Sequence, residues 1–181
     1  MIKKIYLPAG RQVTKSFRQT QKLGEELAKK ILMGVACGQD FGAPKAVVLG
    51  LRGNLGGGKT TFLQGFAEGL GIKEKILSPT FVILKHFRIP AEAKSYKLKA
   101  ISFTDFYHFD CYRINKPEEI LELGFKEIIS NPKNIVAIEW SEKISAPGGL
   151  ASGGKNLLPK NTIFIDFKFI DKNKREIKIG I

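Results

Sequence analysis

The chain has 181 residues, 43% of them hydrophobic and 10% aromatic, enough to bury about 70% of the surface its unfolded form exposes, and this excludes wholesale disorder. Thirty Lys+Arg against seventeen Asp+Glu leave a formal +13, a balance suited to polyanionic partners such as nucleic acid, acidic protein surfaces or nucleotides, although the excess is scattered along the chain. Two cysteines without metal-type spacing (Cys37 and Cys111), a start without an apolar h-region and no apolar run near ~18 residues point to one cytoplasmic domain over 1–181 with no membrane partner.

In chain order, "TQKLGEELAKKIL" carries Leu23, Leu27 and Ile31 at helical spacing, with Thr20 read as its N-cap. "KAVVLGL" (45–51) is a nearly continuous apolar run, the pattern of a buried parallel strand. A glycine-rich stretch follows, and then "TFLQGFAEGLG", a helix with Phe62, Phe66 and Leu70 on one face and Gly71 as its C-cap. "ISFTDFYHFD" reads as a strand and "KPEEILELGF" as a helix with Pro117 in its first turn. "NIVAIEW" (134–140) is a second buried strand, and "TIFIDFKFI" and "REIKIGI" form an antiparallel hairpin around "DKNK". Residues 88–99 and 145–161 read as loops.

The sequence Gly53-Asn54-Leu55-Gly56-Gly57-Gly58-Lys59-Thr60 fits G-x-x-x-x-G-K-[ST], between a buried strand and a helix. Glycines open backbone angles at which consecutive N–H groups converge on an anion. A helix beginning near Gly58 adds about half a positive charge there. Lys59 supplies a point charge for β- and γ-phosphates, and the Thr60 hydroxyl can coordinate Mg²⁺. The guanine-reading motifs D-x-x-G and N-K-x-D do not occur, and "NKPE" (115–118) ends in Glu118 where aspartate is needed, so ATP is expected. The metal needs a carboxylate from a neighbouring strand end. Glu139, closing "IVAIE", is the expected ligand, and Asp110 in "HFDCYR" is the other acidic candidate.

Taken together, "SFRQTQKLGEELA", "LRGNLGGGKTTFLQGFAEGLG", "SPTFVIL" (78–84), "HFDCYR" (108–113), "LELGFKEII", "IEWSEKI" and "LLP" (157–159) are collinear with the TsaE (YjeE) family, which the chain resembles over nearly its whole length. The resemblance implies a P-loop α/β fold: three layers, a mostly parallel central sheet and a C-terminal antiparallel hairpin. It implies an ATPase whose loop, Asn54, Leu55, Gly56, Gly57 and Gly58, holds the phosphates with Lys59, Thr60 and Thr61. Thr60 and Glu139 would hold Mg²⁺. Thr80 would be a switch threonine on the γ-phosphate side, Asp110 the functionally important aspartate, and Trp140 a neighbour of the site. The segment around Ser16, and Arg175, would border the base. The implied partners are the TsaB and TsaD proteins, with tRNA met through that complex while threonylcarbamoyladenosine is made. Residues 88–99 and 145–155 look inserted relative to the family.

Two other functions remain open on the residues alone. A small-molecule phosphotransferase could use the same loop, though it would need an acceptor pocket and an arginine-bearing lid, and the chain has six arginines. A non-catalytic RNA-binding module could use the positive charge, particularly the basic 88–99 stretch.

Overall fold

The computed structural model describes residues 10–33, 45–77, 82–91, 103–116, 118–145 and 156–180. Thr80, Cys37, Pro117 and most of both inserted stretches lie outside the described residues. Seven strands are described: β1 (Gly10–Thr14), β2 (Val47–Arg52), β3 (Leu84–Arg88), β4 (Asp105–Asp110), β5 (Asn134–Glu139), β6 (Ile163–Phe169) and β7 (Arg175–Gly180). They form one sheet in the order β1-β7-β6-β2-β5-β4-β3. The four central strands are mutually parallel, as the apolar runs of β2 and β5 require of segments buried on both faces. The flanks are antiparallel, and β6 and β7 are the expected hairpin.

Strand alternation divides the core. Leu49, Leu51, Phe106, Ile135, Ala137, Ile165 and Ile177 face one side, with helices α1 (Phe17–Leu32) and α2 (Lys59–Gly69) packed over them. Val48, Phe109, Val136 and Ile138 face the other, under the short helices α3 (Glu118–Leu121) and α4 (Phe125–Ser130). The result is three layers. The two long helices run side by side in the same direction at very short range. A Cβ on Gly65 would stand 1.9 Å from the Gln21 carbonyl oxygen, and one on Gly24 would stand 2.1 Å from that of Phe62.

Local expectations needed correction at four places. The N-cap of α1 is Ser16, whose hydroxyl accepts from the Gln19 N–H at 3.2 Å, while the Gln19 side chain accepts from the Lys15 N–H at 2.7 Å. This reciprocal arrangement is a capping box displaced by one residue. Thr20 is instead buried inside the helix, its hydroxyl 2.8 Å from that of Thr14. The "KPEEILELGF" helix breaks because Gly124 takes a left-handed conformation (φ +73°), which separates α3 from α4. The strand read in "ISFTDFYHFD" begins only at Asp105. Strands β1 and β3 had no reading of their own, and Arg88, taken for a loop, ends β3. The end of α2 was read well. Gly71 (φ +78°) donates to the Glu68 carbonyl and Ile72 to that of Ala67, the paired bonds of a Schellman stop.

Candidate functional site

Strand β2 ends at Arg52 and the chain turns at once. Gly53 has φ +126°, and a Cβ there would lie 2.1 Å from the Phe167 carbonyl oxygen, so only glycine fits. Gly58 (φ +99°) is the N-cap of α2, with no side-chain cap bond. The N–H groups of Lys59, Thr60 and Thr61 in the first turn therefore have no acceptor within the helix, and they carry its positive end. These residues and the tip Leu55–Gly58 line a cavity of about 410 Å³, a size typical of small-molecule sites.

Lys59 is 4% exposed. Its side chain folds back, Nζ donating to the carbonyls of Gly53 and of Asn54 (3.1 Å) and lying 3.9 Å from the centroid of the Trp140 ring. Burial pushes its pKa below the usual lysine range, and the carboxylates of Glu139, Glu142 and Asp110 pull the other way.

The carboxylate comes from β5. Glu139 is 2% exposed, and the Thr60 hydroxyl stands 3.0 and 3.2 Å from its two oxygens. Adjacent ligands of an octahedral Mg²⁺ at ~2.1 Å stand about 3.0 Å apart, so the pair fits that ion. Among the described residues no group of three His, Cys, Asp or Glu could hold a metal. A cation here would complete its shell with phosphate oxygens and water, as Mg²⁺ commonly does. Asp110 lies directly opposite Glu139 across the β4–β5 ladder, with Oδ1 accepting from the Tyr112 N–H at 2.9 Å.

A family model described as threonylcarbamoyl adenosine biosynthesis protein TsaE matches residues 14–177. The chain belongs to the TsaE family. The tRNA threonylcarbamoyladenosine biosynthesis protein TsaE of Rickettsia typhi is 38% identical over 133 residues, 73% of this chain and 75% of that protein. The one from Treponema pallidum is 31% identical over 135 residues, 74% of this chain and 81% of that protein. A crystal structure of Bacillus subtilis YdiB superposes with a TM-score of 0.56 at 26% identity, over 93% of this chain and 82% of that one.

Within this TsaE chain, the fold brings Leu55–Thr61, Glu139, Trp140, Arg175 and Ser16 to one cavity. Asn54 contributes its carbonyl to Lys59 from just outside the lining. Arg175 Nε donates to the Gly56 carbonyl at 2.9 Å, which ties the loop tip to the β6–β7 hairpin. Trp140 lies in the left-handed region (φ 57°) with its ring 5.0 Å from that of Tyr112. Two side chains had been given no role. Glu142 accepts from the Gly53 N–H at 3.5 Å, and buried His108 stands 3.1 Å from Glu139 Oε1. The alternation of "HFD" was a usable signal for the second, since it puts His108 and Asp110 on one face of a buried strand.

Proposed function

We propose that this TsaE-family chain binds ATP with Mg²⁺ and hydrolyses it slowly, in support of threonylcarbamoyladenosine formation in tRNA and in concert with TsaB and TsaD. The observation that carries this reading is the pairing of Thr60 with Glu139 beside a glycine loop whose lysine stands ready. The first-turn N–H groups of α2 bind phosphate oxygens, and Lys59 exchanges its two loop carbonyls for the β- and γ-phosphates. Thr60 and Glu139 would hold Mg²⁺, which would supply charge neutralisation at the transferring phosphoryl group. Asp110, across the ladder from Glu139, is the catalytic carboxylate of this reading, and Thr80 its switch residue.

Apolar side chains around the site support a docked partner. Phe17 (63% exposed) and Leu55 (73%) line the cavity, exposed Tyr112 packs on Trp140, and exposed Phe169 packs on Arg175. Apolar surface gathered at one place on a soluble domain marks contact sites. The test is phosphate release from γ-labelled ATP, by the protein alone and with purified TsaB and TsaD. Free phosphate that increases with the partners supports the reading, whereas label on a small acceptor would assign a phosphotransferase.

A further inference from the structure

Strand β4 sets His108 opposite Ala137 of β5, with Glu139 two residues further along the same face. The small alanine leaves room for the imidazole to reach diagonally to that carboxylate, and Nε2 stands 3.1 Å from Oε1. We propose that His108 is a positioning residue, its Nε2–H holding the Glu139 carboxylate in the orientation from which it and Thr60 take up the nucleotide's divalent cation. The inference rests on the metal-site reading above.

Three observations lead to it. First, His108 is fully buried, and its Nδ1 has no hydrogen-bond partner among the described residues. Burying an imidazole with one nitrogen unpaired costs stability, and an apolar side chain would fill the same space among Phe106 and Ala137 more cheaply. Stability is therefore not what the histidine contributes, and what remains is its contact with Glu139. Second, among the described residues the only other side chain bonded to the Glu139 oxygens is Thr60, itself the partner ligand. A carboxylate held by Thr60 alone would be free to turn once that hydroxyl engages a cation; a second donor outside the ligand set fixes it. Third, an ionised carboxylate only accepts, so Nε2 carries the shared proton and the imidazole is the donor of the pair. His86, the second histidine, is engaged elsewhere, with Asp105 at 2.7 Å.

His108→Leu keeps the volume and removes the donor, while His108→Gln restores an amide N–H. Three measurements are made on each: thermal stability, calorimetric ATP affinity in EDTA and in a Mg²⁺ series, and Mn²⁺ binding to the ATP complex by electron paramagnetic resonance. His108→Leu is expected to melt at or above the parent's temperature and to bind metal-free ATP within about twofold. Its cation affinity is expected to fall roughly 10- to 100-fold, the usual cost of removing such a supporting group, with most of it recovered in His108→Gln. Parental cation affinity in His108→Leu overturns the proposal, and so does an equal loss in His108→Gln. If His108→Leu does not fold, His108→Asn, whose shorter amide falls short of Oε1, replaces it with the same expectations. Glu139→Gln is run alongside. If it too leaves the cation dependence unchanged, the metal-site reading has failed; if it alone shifts the dependence, only the role of His108 has.

Discussion

At the scale of single residues, the buried ammonium of Lys59 is the most informative group, because it has acceptors on the loop and carboxylates nearby. Lys59→Ala should raise the Kd for ATP about 100-fold, about 3 kcal/mol, the value of one or two charge-assisted hydrogen bonds. Circular dichroism should be unchanged, since Gly53 and Asn54 are not buried and water can replace the ammonium at their carbonyls. Calorimetry checks the affinity, and a parental Kd would remove the loop from the site. Glu139→Gln should raise the Mg²⁺ needed for half-maximal hydrolysis far more than it weakens metal-free ATP binding, because an amide keeps the shape but loses the charge. A magnesium titration of phosphate release measures this. Trp140 is the chain's one tryptophan, with its ring against Lys59. Its fluorescence should change on ATP and Mg²⁺ binding as that ammonium leaves, and a flat titration with binding shown by calorimetry would refute this.

At the scale of elements, the contact between α1 and α2 depends on atoms that are not there. Alanine has the better helix propensity by about 1 kcal/mol, so an exposed Gly65→Ala would stabilise α2. Here the new methyl would meet the Gln21 carbonyl at 1.9 Å, and the helices must separate. Gly65→Ala should destabilise by about 3 kcal/mol, at the upper end for overpacking, read as a lower urea midpoint. Edge strand β3 is held to β4 by a polar cluster on Asp105, which accepts from Thr104 and His86 and faces Arg88. Burial works against its charge, but those three partners outweigh it and hold the carboxyl below its usual range. A carboxyl with a depressed folded pKa stabilises fully above the unfolded value of about 3.9 and ceases to do so as pH falls through the folded one. Asp105→Asn should therefore cost stability at pH 7 and lose its difference from the parent at strongly acid pH, as denaturation midpoints compared across that window would show.

At the scale of the whole molecule, the glycine loop, the Thr60–Glu139 pair and the apolar rim all meet at the carboxyl ends of the parallel strands, where α/β sheets place ligands. The described site holds Lys59 but no arginine directed at a phosphate. Arg175 is committed to the carbonyls of Gly56, Asp171 and Lys174. An arginine finger alone contributes roughly 10³- to 10⁵-fold in rate, so the isolated chain should turn over slowly and speed up when TsaB and TsaD are added. Phe169→Ser, at a side chain 51% exposed and outside the cavity lining, should weaken that stimulation while leaving ATP affinity within about twofold; titrating the partners against phosphate release, with calorimetry for ATP, checks both.

The α/β class, β2, α2, β5, the closing hairpin and the phosphate loop were legible because each rests on short-range chemistry. Continuous apolar runs mark strands buried on both faces, and Gly53, Gly56 and Gly58 occupy angles that few other residues accept. The family resemblance was legible for the same reason, being carried by contiguous motifs that the match over residues 14–177 bears out. What sequence reading missed depends on partners distant along the chain. "GRQVT" has little strand character of its own and becomes β1 because β7 offers an open edge, and β3 forms on β4 in the same way. Lys59 is buried because Trp140, 81 positions later, turns its ring beneath it. His108 meets Glu139 only through the β4–β5 register. Composition and spacing determined which residues could bind phosphate; which carboxylate stands beside Thr60, and what holds it there, was decided by the pairing of strands whose contacts no local pattern encodes.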